Sequence, residues 1–319
     1  MKTTDMDAAI AAVGSAKSLA ITCHINPDGD ALGSALALAH AARAMGVEAV
    51  VSFGGEFVVP DSLRFLDLSP LVPVDEFPAE PECLVVFDVA APDRLGDIAE
   101  NASRAGTVVV IDHHLSNDGF GDVAVIDSGA AASAQLATYL IDGLGWPIDE
   151  TVALCLMTGL VTDTGRFQYS ATTGEVMRIA GRLLDTGMRP EIIGQEVYES
   201  APFGYLAASA AVLGRAQLDI DRGLVWSTIT LSDLKMAGIE YSQTEGLIDD
   251  LRIAREADAA LLLKETDSGW KGSMRSRGGT DVAAIAGLFG GGGHRNAAGF
   301  HAVGEVDAIL GRIREALDA

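Results

Sequence analysis

Between residues 17 and 127 the chain alternates short runs rich in Val and Ile with helix-like stretches, and this alternation most restricts how it can fold. The runs SLAITC (18–23), EAVVSF (48–53), CLVVFD (83–88), TVVVID (107–112) and VAVID (123–127) are apolar almost throughout. Strands of that kind bury both faces, which predicts an α/β fold with a parallel sheet and helices on both faces. ALGSALALAHAARAMG supplies an Ala- and Leu-rich helix after the first run, stopped by Gly46, and further helices are expected at 131–143, 149–160 and 173–186. A second alternation starts near residue 222, with strands expected at 223–231, 259–265 and 270–276 and helices at 244–256 and 281–289. At 319 residues a single core is unexpected. The division read from the pattern is a first domain at 1–188, a helical connector at 189–221 punctuated by Pro190 and Pro202, and a smaller C-terminal α/β domain at 222–319.

Ligands of open α/β sheets bind beyond the carboxyl ends of the strands, so the residues found there carry the information. The first strand runs into His24-Ile25-Asn26-Pro27-Asp28-Gly29-Asp30, the third ends at Asp88 and the fourth at Asp112-His113-His114. The helix at 149–160 leads into Thr162-Asp163-Thr164. A single Asp after a strand is ordinarily a turn residue or a helix cap, and Asp30 before ALGSALALA suits a cap. Turn chemistry does not account for four separate segments that bring only His and Asp to one edge. Imidazoles with carboxylates suit a divalent cation, with Mn²⁺ favoured and Zn²⁺, Co²⁺ and Mg²⁺ also compatible. Six or more donors exceed the needs of one ion and fit two that share a carboxylate, about 3.5–4 Å apart.

The net charge of −23 opposes binding along long nucleic acid, which relies on many Lys and Arg contacts to phosphates. Against this background residues 271–295 carry Lys271, Arg275, Arg277, Arg295 and one carboxylate, Asp281, a local balance of +3. Arg275, Ser276 and Arg277 offer donors that match phosphate, and Gly292, Gly293 and His294 close a glycine run whose backbone amides can approach an anion closely. These six residues are the expected substrate-binding set. No run of about 18 uncharged apolar residues and no signal-peptide layout is present, so a cytoplasmic protein without membrane contact is expected. Cys23, Cys83 and Cys155 lie far apart among apolar residues and read as core side chains.

His24 to Ser34, Asp88, Asp112-His113-His114 and Asp163-Thr164-Gly165 resemble the four motifs of the DHH phosphoesterase superfamily. Gly290 to Gly293 with His294 resembles the glycine-rich signature of its type 1 associated domain, DHHA1. In size and C-terminal motif the chain is most similar to the branch that hydrolyses short oligoribonucleotides and 3′-phosphoadenosine 5′-phosphate, some members of which act on cyclic di-AMP and its linear product. The resemblance implies that His24, Asp28 and Asp88 hold one ion. Asp30, Asp88, His113 and Asp163 would hold the other, with Asp88 bridging. It further implies that His114 faces the scissile phosphate, that Asp112 partners it, and that the active form is a homodimer acting on a small nucleotide or short oligoribonucleotide. A manganese pyrophosphatase, a single-strand exonuclease and a non-catalytic nucleotide sensor are the rival readings. The first carries a different second domain, the second carries further nucleic-acid-binding modules, and the third calls for loss of a metal ligand, none of which is replaced here.

Overall fold

A computed structural model describes residues 5–117 and 119–318, which fall into two compact units, Met1–Glu199 and Ser200–Ala319. In chain order the first holds α1 (Met6–Ser15), β1 (Ser18–Cys23), α2 (Gly29–Ala44), β2 (Glu48–Phe53), β3 (Cys83–Phe87), α3 (Ala99–Arg104), β4 (Thr107–Asp112), β5 (Val123–Ile126), α4 (Ser133–Leu144), α5 (Glu150–Asp163), α6 (Gly174–Leu184) and α7 (Pro190–Ile193). All five expected strands form, and they pair in parallel in the order β2-β1-β3-β4-β5. Alternate residues of each strand serve two cores. Leu19, Ile21, Val85, Phe87, Val109 and Ile111 pack with apolar residues of α1, α2 and α4. Ala20, Leu84, Val86, Val108 and Val110 pack with Leu95 and Ile98 of a 3₁₀ segment on the other face. The strand order reverses between β1 and β3, so their carboxyl ends open onto the crevice such sheets use for ligands.

Two helices that bear on this crevice approach each other unusually closely. A Cβ at Gly29 would lie 2.6 Å from Thr162 Oγ1, one at Gly33 2.5 Å from the Cys155 carbonyl oxygen, and one at Gly159 2.7 Å from Asp30 Oδ1. Gly29 and Gly33, one turn apart on α2, thereby let α5 settle against it and set Asp30 beside the end of α5. The three cysteines are buried and unpaired, as read from the sequence.

The second unit holds α8 (Gly204–Gly214), β6 (Gln217–Asp219), β7 (Leu224–Ile229), α9 (Leu231–Ala237), α10 (Leu247–Arg252), β8 (Ala259–Thr266), β9 (Gly269–Ser276), α11 (Val282–Gly287), β10 (Gly292–His294), β11 (Ala297–Ala302) and α12 (Val306–Asp318). Its mixed sheet runs β10-β11-β9-β8-β7-β6. Ala208 and Val212 of α8 are buried with α10 against one face, and α11 and α12 cover the other.

Several elements differ from the sequence expectation. The strand expected to 231 stops at Ile229, because Thr230 and Asp233 form a capping box that starts α9. The expected helix 244–256 is a 3₁₀ turn at Tyr241–Thr244 followed by the shorter α10. Asp28, not Asp30, caps α2, accepting hydrogen bonds from the Asp30 and Ala31 amides, each at 3.0 Å. Asp163 lies in the last turn of α5 rather than in a loop after it.

The α2–α5 contact yields a test. Gly33→Ala forces its methyl against a backbone carbonyl, and overpacking of this kind costs about 1–3 kcal/mol. The variant should unfold at correspondingly lower denaturant and lose activity. Ala accepted at position 33 with unchanged unfolding would mean the helices do not meet this closely.

Candidate active site

Every His and Asp singled out in the first unit comes to the carboxyl ends of β1, β3 and β4 or to the adjoining end of α5. Asp88 stands one residue beyond β3 with a left-handed backbone, φ 58°, its amide donating to the Ile111 carbonyl at 3.0 Å. A non-glycine residue held there is strained, a condition that concentrates at functional sites. From that position its two carboxylate oxygens face two imidazoles. Oδ2 is 3.4 Å from His24 Nε2, and Oδ1 is 3.5 Å from His113 Nε2.

Two donor groups result, one on each side of Asp88. His24, Asp28 and Asp88 form the first, and Asp30, His113 and Asp163 form the second, with the donor atoms in each within 4.8 Å of one another. His24 Nε2 lies 3.7 Å from Asp28, while His113 Nε2 lies 3.3 Å from Asp163 and 3.8 Å from Asp30. These separations are long for direct hydrogen bonds and suit ligands that neighbour one another around a cation. Each histidine is anchored through its other nitrogen, His24 Nδ1 to the Ile25 carbonyl at 2.8 Å and His113 Nδ1 to the Ala130 carbonyl at 3.3 Å. With Nδ1 as the donor, Nε2 is the atom each can offer to a cation. One imidazole with two carboxylates is a donor set that fits a divalent ion, so both groups can hold metal.

The ion pairs that Asp28, Asp30, Asp88, Asp112 and Asp163 make among the described residues all come from His24, His113 and His114. Without metal the imidazoles must carry the positive charge. Burial disfavours the His24 cation, yet Asp28 and Asp88 overcome it and raise its pKa to about 10. His113 is likewise penalised by burial and lifted by Asp163, Asp30 and Asp88 to about 9. Burial pushes the Asp163 carboxyl up to about 7 despite the neighbouring His113, and burial with the charges of Asp88 and Asp163 raises Asp30 well above the carboxylate range.

Supporting residues that the sequence did not single out fix this arrangement. Asp30 accepts from the Ser133 amide at 2.6 Å and the Ala134 amide at 2.8 Å, so its carboxylate occupies the N-terminus of α4. The Ser133 hydroxyl donates to Asp88 Oδ1 at 2.9 Å. Asp112, fully buried, accepts from the His113 and His114 amides, from His114 Nδ1 at 2.7 Å and from Asn117 Nδ2 at 2.7 Å. Burial works against its ionisation, but the bonds from His114 and Asn117 hold its pKa below the usual value. Nothing local in the sequence marks Ser133, which bonds to Asp30 from 103 positions away; Asn117 follows the Asp-His-His run closely enough to have been considered.

In the second unit the expected substrate-binding residues separate into different environments. Arg275 is partly buried, its Nε 3.8 Å from Asp249, and Arg277 is exposed and donates to the Ile253 carbonyl. Ser276 is buried, its hydroxyl 3.1 Å from Asn296 Oδ1 and accepting from the Gly278 amide. The glycine run does not end as a loop: Gly292, Gly293 and His294 form the edge strand β10, paired with β11. No described helix is long and apolar enough to cross a membrane.

Comparison with known proteins gives one consistent result. The N-terminal domain model of the DHH family matches residues 18–160, and the DHHA1 domain model matches residues 229–319. The chain is 34% identical over 303 residues to the bifunctional oligoribonuclease and PAP phosphatase NrnA of Thermus thermophilus, covering 93% of this chain and 88% of that protein. It is 27% identical to the protein of the same name from Bacillus subtilis, over 90% of each chain. The crystal structure of an exopolyphosphatase-related protein from Bacteroides fragilis superposes with a TM-score of 0.90 at 25% identity, over 98% of this chain and 95% of that one. With the His and Asp residues of its motifs gathered at one sheet edge, the chain belongs to the DHH family and is a metal-dependent hydrolase of phosphoester bonds.

Proposed function

We propose that the first unit hydrolyses phosphoester bonds of small nucleotides and short oligoribonucleotides with two divalent ions, Mn²⁺ in preference, and that the second unit holds the non-reacting end. The observation that carries this reading is the position of Asp88 between the two donor groups, one oxygen toward each histidine. His24, Asp28 and Asp88 hold one ion; Asp30, Asp88, His113 and Asp163 hold the other. Ions bound there would lower the pKa of a bound water toward neutrality and would supply positive charge for the phosphoryl oxygens. The remaining work belongs to the chain's own residues. Asp112 and Asn117 fix His114, whose Nδ1 proton is committed to Asp112, so Nε2 meets the phosphate. There it stabilises the developing charge and protonates the leaving oxygen as the P–O bond breaks. Ser133 and the start of α4 keep Asp88 and Asp30 in place.

Substrates of this class are 3′-phosphoadenosine 5′-phosphate, cleaved to AMP, di- to short oligoribonucleotides, cleaved to mononucleotides, and cyclic di-AMP with its linear product. The names of the relatives from Thermus thermophilus and Bacillus subtilis support the first two. The net charge of −23 supports short substrates over long ones. Arg275, Arg277, Gly292, Gly293 and His294 hold the distal phosphate or nucleotide, Ser276 acts by fixing Asn296 and the turn at Gly278, and the enzyme works as a homodimer.

Four outcomes test this reading. Metal capture must displace protons from His24 and His113, whose pKa values of about 10 and 9 favour the protonated forms at neutral pH, and from Asp163, which at about 7 is partly protonated there. For the metal-free protein these raised values mean that protonation stabilises the folded state. Its stability should therefore fall as pH rises from about 4 to about 7 through Asp163 and from about 6.5 to about 10 through His113 and His24, and Mn²⁺ should reverse the trend. Calorimetric titration in buffers of different ionisation enthalpy should show net proton release on Mn²⁺ binding at neutral pH; proton-neutral binding would remove these residues from the metal site.

Asp88→Asn keeps a side chain that tolerates the left-handed backbone but removes the shared charge. It should lower metal content and reduce kcat more than any other single ligand change. Normal turnover with normal metal content would end the bridging assignment. Arg275→Ala should leave metal content alone. It should cost about 1.5–3 kcal/mol, one to two orders of magnitude in kcat/KM, on nucleotides. On bis(p-nitrophenyl) phosphate, which has no distal nucleotide, the loss should be much smaller; equal losses on both would place Arg275 at the reacting phosphate.

A further inference from the structure

The second sheet has one face that its own helices cover only in part. Among the described residues, the core beneath α8 and α10 takes Val225, Ile229, Ala260 and Leu262 from β7 and β8, and no apolar side chain from β9, β11 or β10. Strand register arranges the rest of this face in three rows, because directly paired residues point to the same side. Arg275 stands opposite Ala297, and Ala297 opposite His294. Ser273 stands opposite Gly299, and Gly299 opposite Gly292. Lys271 stands between His301 on β11 and Lys264 on β8. The first and third rows are four residues apart along β9, about 13 Å.

The middle row has no side chain on β11 or β10, and the chain itself gives no reason for that. A Cβ at Gly292 would meet nothing within 4 Å, and one at Gly299 only the Gly272 carbonyl oxygen at 3.5 Å. Neither residue has a left-handed backbone. Their neighbours are different: a Cβ at Gly291 would lie 2.2 Å from the Gly299 carbonyl oxygen, and Gly293 has φ 140°. Packing and backbone thus require glycine at 291 and 293, whereas 292 and 299 form an open, flat floor between two basic rows.

The third row is also charged beyond what the fold needs. Lys264 is 1% exposed, with its Nζ 2.7 Å from Glu245 Oε1, and Lys271 Nζ is 3.3 Å from the same oxygen. Two ammonium groups share one carboxylate, which leaves a net positive charge beside His301. Burying an ammonium is costly, and a hydrophobic residue would fill position 264 at no such cost.

We infer that Lys271 and His301, backed by buried Lys264, form a second anion subsite. It takes a terminal phosphate of a substrate whose base or sugar lies on the Gly292–Gly299 floor. This rests on the reading of Arg275 and His294 as the groups that hold the non-reacting nucleotide, and it adds the feature that distinguishes phosphorylated from unphosphorylated ends.

The test compares kcat/KM of the full-length Mn²⁺-loaded enzyme on three diribonucleotides, one with a 5′-terminal phosphate, one with a 3′-terminal phosphate and one with neither. The native enzyme should favour one of the phosphorylated forms over the bare one by about tenfold or more, the effect of a charge-assisted hydrogen bond. In Lys271→Gln that ratio should fall toward one, mostly through KM. His301→Gln, at an exposed strand position, should reduce it without loss of fold, and Lys271→Arg should restore it. No preference in the native enzyme, or a native ratio in folded Lys271→Gln, overturns the subsite. Arg275→Ala reports on the underlying reading separately: it should slow all three substrates, and if it slows none, the sheet face does not hold substrate at all.

Discussion

The structure depends on holding like charges together. Asp28, Asp30, Asp88, Asp112 and Asp163 converge on one crevice where, among the described residues, only three imidazoles pair with them. Left alone, such a group would repel itself apart or take up protons. The fold answers by placing fixed dipoles and donors around it. The N-terminus of α4 meets Asp30, backbone amides meet Asp28 and Asp112, and the Ser133 hydroxyl meets Asp88. The close approach of α2 and α5 is part of the same solution, since it fixes Asp30 relative to Asp163. The raised pKa values of His24, His113 and Asp163 reflect negative charge left uncompensated, a charge deficit that suits divalent cations.

Much of this was legible in the sequence because apolar runs and polar ends are local signals. SLAITC followed by His24, and TVVVID followed by His113 and His114, give both the strand and the direction in which its last residues emerge. Asp163 reaches the crevice from the last turn of α5 rather than from a loop after it. Helix α5 stays regular up to a left-handed turn in which Gly165, Arg166 and Phe167 all have positive φ, and nothing in a hydrophobic pattern foretells such a turn around Arg and Phe. Ser133 and the α4 amides escaped because their roles come from tertiary contact across about a hundred residues. Strands β10 and β11 escaped because glycine and alanine carry no periodic hydrophobic signal.

The glycine run near the C-terminus shows how one motif can hold residues with different physical justifications. Gly291 and Gly293 serve the chain, by close backbone approach and by conformation, while Gly292 and its partner Gly299 leave space that the chain does not use. The same distinction applies across the second sheet. Its α11 and α12 face is filled by large apolar side chains, and its opposite face beyond β8 alternates small residues with cations. A face so built is poorly suited to packing against another apolar element and well suited to an anionic, flat guest.

The backbone at Asp88 places stability and activity in opposition at a single position. Glycine adopts a φ of 58° without the strain an aspartate bears and carries no buried charge, so mutation toward glycine there would relax the native state while removing the carboxylate that faces both His24 and His113. Laboratory selection for heat resistance alone would drift toward that inactive form. Among natural lineages, an aspartate kept at this position despite its conformational penalty marks a chain still under selection for turnover, whereas a glycine there would mark a descendant that has kept the scaffold and abandoned the chemistry.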